Sequence, residues 1–165
     1  MESFKESGCE FILRENSKFI KLDNTGEYSK VSQFLSCVEG ILVIDDKTYF
    51  IEVKRYDYFA KKEELDEKLN KILKKLVDSY FFLIFIDSNN AIFNKINDNL
   101  GKQNRLIFLI YICPLYNRNL EKDRKIIATE TIRRKLLSKL SNFRNIELLI
   151  DTKDNKFELF KKIEG

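Results

Sequence analysis

The chain has 165 residues, of which 44% are hydrophobic, 34% are charged and 13% are aromatic, and it contains one Pro and no His. This length suits a single domain over residues 1–165 with a buried core, and the composition excludes a disordered, collagen-like or linker-dominated protein. Because His is absent, Ser-His-Asp and Cys-His nucleophiles and His-ligated zinc sites are also excluded.

The three cysteines are Cys9, Cys37 and Cys113. They form neither an even disulfide set nor a C-x-x-C metal motif, so we expect them to be reduced and buried. The sequence does not begin with a basic and then apolar signal segment, and the apolar run at 80–86 is far shorter than the roughly 20 residues that span a bilayer. These features predict a cytoplasmic protein and a buried strand at 80–86.

Charge is distributed unevenly along the chain. The net charge of +4 divides into −3 over residues 1–54 and +7 over the remainder, and residues 101–144 alone have a net charge of +8. An acidic part joined to a basic part fits a protein that binds a cation and contacts a polyanion. A solvated helix face is the alternative, and the charge distribution taken alone favours it.

The first half of the chain contains one clear local signal. Two weaker strands are predicted at 10–13 and 18–22, followed by a short helix before residue 38. Two β runs, 39–44 and 49–54, then flank a polar turn and predict a hairpin. In that turn Asp45 and Asp46 are interpreted as ordinary turn residues rather than metal ligands.

Apolar strands and amphipathic helices are predicted to alternate after the hairpin. The predicted elements are a helix at 59–77, a strand at 80–86, a helix at 91–100, a strand at 106–113, a helix at 120–140, a strand at 146–150 and a β or helical piece at 156–163. The long helix is expected to direct six apolar side chains inward: Ile126, Ile127, Ile132, Leu136, Leu137 and Leu140. This alternation predicts an α/β fold with helices on both faces of a sheet.

Three charged residues of the hairpin, Glu39, Glu52 and Lys54, are the best candidates for a functional site. A turn centred on positions 46 and 47 predicts three cross-strand pairs: Ile44 with Tyr49, Ile41 with Glu52, and Glu39 with Lys54. Because side chains alternate between faces along a strand, all three charged groups then project from one side of the sheet. In this register Glu39 lies diagonal to Glu52, with about 5 to 8 Å between the points where the side chains are attached. Two carboxylates at this separation suit Mg²⁺, and an adjacent ammonium could act on a water or a phosphate. A structural Glu39–Lys54 ion pair with Glu52 exposed is the alternative.

The hairpin, the segment Ile51-Glu-Val-Lys54 and the helix after it resemble the PD-(D/E)-x-K nuclease superfamily. The resemblance covers about residues 38–77. It implies a three-layer α/β/α fold with a mixed central sheet, of the restriction endonuclease type, and Mg²⁺- or Mn²⁺-dependent hydrolysis of DNA. It assigns the metal-binding positions to Glu39 and Glu52 and the motif lysine to Lys54. Glu39 stands where the family usually has Asp, and Val38 stands at the nominal Pro.

Other candidate residues are weaker. The family often supplies a further Glu from a first helix, and Glu27 and Glu10 are candidates without a spacing argument. Arg55 is expected to alternate to the opposite face, and Tyr56 and Tyr58 are expected to anchor the start of the next helix. A basic cluster on the long helix could contact a nucleic-acid backbone, although a solvated face is favoured: Lys122, Arg124, Lys125, Arg133, Arg134, Lys135 and Lys139.

The leading hypothesis is a Mg²⁺- or Mn²⁺-dependent endonuclease whose basic C-terminal half binds the DNA backbone. Related enzymes often form homodimers, so a homodimer is a further expectation from the resemblance. The alternative is a catalytically inactive nuclease-like fold that binds nucleic acid or a protein. A third interpretation is an α/β interaction module whose hairpin charges merely pair.

Overall fold

A computed structural model of the chain describes residues 2–59, 61–86, 91–113, 122–152 and 155–164, with the backbone alone described at 62 and 122–128. These ranges form strands β1 (Ser3–Glu6), β2 (Cys9–Ile12), β3 (Ser17–Lys21), β4 (Gly40–Ile44), β5 (Lys47–Arg55), β6 (Leu106–Cys113), β7 (Ile146–Asp151) and β8 (Lys162–Glu164). The helices are α1 (Gly26–Ser29), α2 (Leu65–Phe85), α3 (Ala91–Lys102) and α4 (Lys122–Leu140).

A mixed five-stranded sheet forms the centre of the fold, in the order β3-β4-β5-β6-β7. Strands β3, β4 and β5 are antiparallel, whereas β6 and β7 run parallel to β5. Parallel neighbours require crossover connections, and the segments containing α2 with α3, and then α4, make these connections. The prediction of an α/β fold is therefore confirmed.

All four helices pack on one face of this sheet. The core on this face joins sheet residues such as Ile41, Phe50 and Phe108 to Leu69 of α2 and Leu136 of α4. The opposite face is covered by a second sheet, β1-β2-β8, and Phe11 of β2 packs there against Tyr111 with ring centroids 4.8 Å apart. For the described ranges, the prediction of helices on both faces of the sheet is therefore wrong. Short strands near the N- and C-terminal ends of the sequence supply the second apolar layer instead.

The hairpin forms as predicted, but its register differs by two residues. The turn consists of Asp45 and Asp46, and Asp45 has a φ of 51°, so Ile44 pairs with Lys47 and Ile41 with Phe50. The predicted pairing of Ile41 with Glu52 is wrong because the tight turn needs only two residues. A shift of two preserves which side chains share a face, so the expected common face is kept.

The predicted strand at 80–86 is wrong, because α2 extends through Phe85. Ser79, Phe82 and Leu83 are buried, while Phe81 and Phe85 are 52% and 70% exposed. Burial therefore recurs at helical rather than alternating spacing. The helix contains no Gly or Pro that would end it before this apolar run.

Most of the other predicted elements are confirmed with small changes of boundary. Helix α3, strands β6 and β7 and the described backbone of α4 lie where the pattern places them. In α4 the side chains of Ile132, Leu136 and Leu140 are buried, whereas Leu137 is 44% exposed and does not point inward as expected. The side chains of Ile126 and Ile127 lie outside the described residues. The final β or helical piece resolves into the short strand β8.

Two further expectations concern burial and membrane insertion. The cysteines are all buried and free of disulfides, as predicted. Within the described ranges, every helix is too short or too polar to cross a lipid bilayer.

Candidate active site

The hairpin brings Glu39 and Glu52 to the same side of the sheet. Gly40 pairs with Ile51, so the register extended by one residue places Glu39 opposite Glu52 rather than opposite Lys54. A Cβ at Gly40 would lie only 2.3 Å from Phe19 Cζ, so the residue after Glu39 must lack a side chain for β3 to pack at this point. Close packing of β3 on β4 thus positions the first carboxylate.

Lys54 contacts both carboxylates. Its Nζ lies 3.2 Å from Glu39 Oε1 and 2.6 Å from Glu52 Oε1. Glu52 and Lys54 are two residues apart in β5 and therefore project from the same face. The structure brings all three hairpin candidates together, and it shows the Glu39–Lys54 contact that the structural alternative requires, although Glu52 is buried rather than exposed.

Lys75 is a fourth member of the cluster that the sequence analysis missed. Its Nζ lies 3.2 Å from Glu39 Oε1 and 3.0 Å from Glu52 Oε1. Lys75 lies three residues after Ile72 and one residue before Leu76, which are both buried residues of α2. It therefore borders the buried stripe of the helix. That position is a sequence signal for a lysine near the sheet, but it does not identify the residues across from it.

The charged cluster is mostly removed from solvent. The exposed fractions of the side chains are 0% for Glu52, 14% for Glu39, 18% for Lys54 and 23% for Lys75. Ionised groups with so little water are stable only when they are paired, and here each carboxylate contacts both ammonium groups. The two carboxylates and two ammonium groups together carry no net charge.

The two carboxyl groups differ in their pKa. Burial acts to raise the pKa of Glu39, but the charges of Lys75 and Lys54 together hold it below its usual value. Burial raises the pKa of Glu52 above its usual value, despite the opposing charges of Lys54 and Lys75. Burial acts to lower the pKa of Lys75, but Glu52 and Glu39 raise it. Glu52 is therefore the carboxyl group whose ionised form is least favoured.

A cleft of about 230 Å³ lies beside the cluster. It is lined by Ser36, Glu52, Lys54, Tyr58, Lys71, Ile72, Lys74 and Lys75. Glu52 lines this cleft although its side chain is fully buried, because the ammonium groups of Lys54 and Lys75 lie against it. The Glu52 carboxylate therefore borders the cleft behind the two ammonium groups rather than lying beneath packed hydrocarbon.

Residues next to the hairpin have structural contacts. Arg55 lies beyond Lys54 at the end of β5, where its Nη2 is 2.9 Å from Asp57 Oδ2. The ring of Tyr58 lies beneath two ammonium groups, with its centroid 5.5 Å from Lys54 Nζ and 5.1 Å from Lys68 Nζ. Tyr56 packs against the helical core as an anchoring residue would.

The two unassigned glutamates lie in other parts of the fold. Glu10 accepts a hydrogen bond from Ser3 Oγ and pairs with Lys5 in the small sheet, which covers the opposite face of the central sheet. Glu27 lies in α1 and lines a separate apolar cavity of about 320 Å³ beside Phe81.

The basic cluster of α4 is partly paired with acidic residues. Lys135 and Lys139 reach Asp66 of α2 at 2.8 and 3.5 Å, and Arg133 and Arg134 lie 3.9 and 3.8 Å from Glu130. The side chains of Lys122, Arg124 and Lys125 lie outside the described residues. Whether this helix contacts nucleic acid stays a prediction.

The donor set is chemically suitable for Mg²⁺ or Mn²⁺. The described ranges contain no group of three or more Asp, Glu or Cys side chains placed to hold a metal ion. Mg²⁺ commonly uses only one or two protein carboxylates together with water, and Glu39 and Glu52 provide two. Lys54 and Lys75 both contact Oε1 of each glutamate, so a bound cation would compete with them for these oxygens.

Comparisons of the chain with protein-family models, curated proteins and solved structures gave no match.

Proposed function

We propose that the protein is a Mg²⁺- or Mn²⁺-dependent endonuclease with a restriction endonuclease-like fold that hydrolyses phosphodiester bonds of DNA. The observation that carries this proposal is the convergence of Glu39, Glu52 and Lys54 on one side of the sheet, beside an open cleft. This arrangement supplies carboxylate ligands and a cation at one place without any His.

Glu39 and Glu52 are the residues that would hold the metal ion, which when bound would activate water and offset charge on the phosphate. Lys54 would orient the attacking water or stabilise the negative charge that develops on the scissile phosphate. Tyr58 holds the ammonium of Lys54 over its ring, which limits the directions in which that side chain can point. The roles of these residues follow the PD-(D/E)-x-K pattern.

The order of elements supports a restriction endonuclease-like fold in which the small sheet β1-β2-β8 stands in place of one of the two helical layers. An antiparallel hairpin, β4-β5, is followed by helix α2 and later by a strand, β6, that pairs in parallel with β5. This topology puts the hairpin residues and the following helix around one site. A DNA partner, bound through the basic C-terminal half, and a homodimer belong to the same proposal.

The test is cleavage of supercoiled plasmid by the purified protein with Mn²⁺, with and without a chelator. We expect nicked or linear product that disappears with chelator and with Glu52→Gln. The matched control is Glu67→Gln, which removes the same charge from an exposed residue of α2 that pairs with Lys71. Cleavage by Glu52→Gln at the rate of the control would contradict the proposal.

A second candidate is a catalytically inactive nuclease-like fold that binds nucleic acid or a protein. The observation in its favour is that Lys54 and Lys75 already neutralise the two carboxylates. Calorimetric titration with Mn²⁺ separates the active nuclease from the inactive nuclease-like fold. An active site of this kind must bind the cation, whereas an inactive fold has no need to bind it.

A further inference from the structure

Lys75 contacts the same carboxylate oxygens as Lys54 but reaches them from a different element. Lys54 is attached to β5, two residues from Glu52, whereas Lys75 extends from the middle of α2. Its Nζ lies 3.2 Å from Glu39 Oε1 and 3.0 Å from Glu52 Oε1. The E-x-K pattern assigns no role to this second ammonium group.

We propose that Lys75 is an internal counter-ion that competes with a divalent cation for Glu39 and Glu52 and thereby sets the metal affinity of the site. This inference rests on the proposed function, because it takes these two carboxylates as the metal ligands. Lys75 is thus a positioning and regulating residue, whereas Lys54 acts on the reacting groups.

The charge of the cluster explains the competition. With both lysines in place, the charges of the four side chains sum to zero. An approaching cation is therefore only weakly attracted to the cluster. Removing the charge of Lys75 leaves a net charge of −1 and frees Glu39 Oε1 and Glu52 Oε1 of one competing cation. Because the cluster is largely shielded from water, one charge has a large effect on binding there.

Lys75 can leave the carboxylates without becoming a stranded charge. Its side chain lines the cleft and is 23% exposed, so the ammonium group has access to solvent. Its long, flexible stem also allows the head group to move while the helix remains packed. By contrast, the Glu52 side chain is fully buried and has no contact with solvent.

Neighbouring Lys74 provides a matched control. It lies next to Lys75 in the same helix and lines the same cleft, but its Nζ pairs with Asp78 rather than with the two carboxylates. A general electrostatic effect of α2 on the site would appear in Lys74→Met as well as in Lys75→Met. A direct competition appears in Lys75→Met alone.

The experiment is calorimetric titration of the full chain with Mn²⁺ for the wild type, Lys75→Met, Lys75→Arg and Lys74→Met. We expect Lys75→Met to bind Mn²⁺ at least about tenfold more tightly than the wild type, because one buried positive charge is gone. Lys75→Arg keeps the positive charge, and Lys74→Met removes an exposed positive charge. The Mn²⁺ affinity of each of these two variants should therefore stay within about threefold of the wild-type affinity.

Because Lys75 is largely buried, Lys75→Gln is measured beside Lys75→Met, and circular dichroism confirms which variants are folded. The same gain in Mn²⁺ affinity is expected from either neutral variant, and equal or weaker binding by a folded neutral variant overturns the inference. A similar gain in Lys74→Met also overturns it.

The plasmid assay separates failure of this inference from failure of the proposed function. Cleavage by the wild type with unchanged Mn²⁺ affinity in the neutral variants overturns the inference alone. Tighter Mn²⁺ binding by the neutral variants without cleavage by the wild type overturns the proposed function alone. Absence of Mn²⁺ binding in every folded form overturns both.

Discussion

The backbone of Val38 is joined to the side chain of Ser79 in the middle of α2. Val38 N–H donates a hydrogen bond of 2.8 Å to Ser79 Oγ, and the same hydroxyl donates one of 2.7 Å to the carbonyl of Lys75. Both bonds are made by a fully buried hydroxyl. This connection ties the residue before Glu39 to the helical turn that carries Lys75, and so aligns two elements of the candidate site.

Ser79→Ala should therefore destabilise the protein and disturb the site. We expect a loss of about 1–3 kcal/mol in the free energy of unfolding, because Val38 N–H would be left buried without its acceptor. Urea unfolding measures this loss. Ser29→Ala is the control, since the Ser29 hydroxyl bonds the Gly26 carbonyl at an exposed position; equal losses in both variants would contradict this role of Ser79.

Lys54→Ala should abolish cleavage while leaving DNA binding largely intact. We expect the rate of plasmid cleavage to fall by at least about a hundredfold, as is typical when a group that assists proton transfer is lost. Fluorescence anisotropy with a labelled duplex measures binding separately.

Lys68→Ala is the control for Lys54, because its Nζ faces the same Tyr58 ring but pairs with Glu64. Comparable cleavage by Lys54→Ala and Lys68→Ala would remove Lys54 from the mechanism.

Neutralising the two glutamates should have opposite effects on stability in metal-free protein. The lowered pKa of Glu39 means that its ionised form stabilises the fold above the usual pKa of 4.5, and this contribution is lost as pH falls through the folded-state pKa. The raised pKa of Glu52 means that the fold loses stability as pH rises from 4.5 through the folded-state pKa. At pH 7 we therefore expect Glu39→Gln to lower the melting temperature and Glu52→Gln to raise it.

Thermal melts from pH 3.5 to pH 8 in chelator provide the measurement for these two variants. The difference in melting temperature between each variant and the wild type should become smaller as pH falls towards 3.5, because the wild-type carboxyl groups then take up protons. A lower melting temperature for Glu52→Gln at pH 7 would show that its contacts with the lysines outweigh the cost of burial.

Gly40→Ala should destabilise the sheet next to Glu39. The added methyl group would lie 2.3 Å from Phe19 Cζ and 2.6 Å from the carbonyl oxygen of Ile20, so strands β3 and β4 would have to separate. Overpacking of this kind costs about 1–3 kcal/mol, which urea unfolding would detect. Gly26→Ala is the matched control because its added Cβ meets no atom within 4 Å.

Local sequence pattern was sufficient for the hairpin and for the shared face of its charges. Alternation along 49–54 places Glu52 and Lys54 on one face whatever the register, and a register error of two residues leaves that face unchanged. For the same reason the pattern places Glu39 near Glu52, even though the predicted cross-strand partner of Glu39, Lys54, is wrong. The turn Asp45-Asp46 needs only local backbone geometry, which the residue types already indicate.

Local pattern was insufficient where an apolar run could be a strand or a helix. Residues 80–86 are apolar on every side, so periodicity is lost, and continuation of α2 decided their structure. The covering of the second sheet face also depended on distant strands, since β2 pairs with β8 from the other end of the chain. The local sequence of either strand does not indicate which distant strand it pairs with.

The amino-acid sequence by itself determined the charged hairpin, because strand alternation and turn chemistry act over a few residues. Only the tertiary structure showed that Lys75 joins Glu39 and Glu52, since α2 contains several lysines and packing against the sheet selects which of them faces it. That selection depends on the position and rotation of α2 on the sheet. These are properties of the packed core as a whole rather than of any short segment.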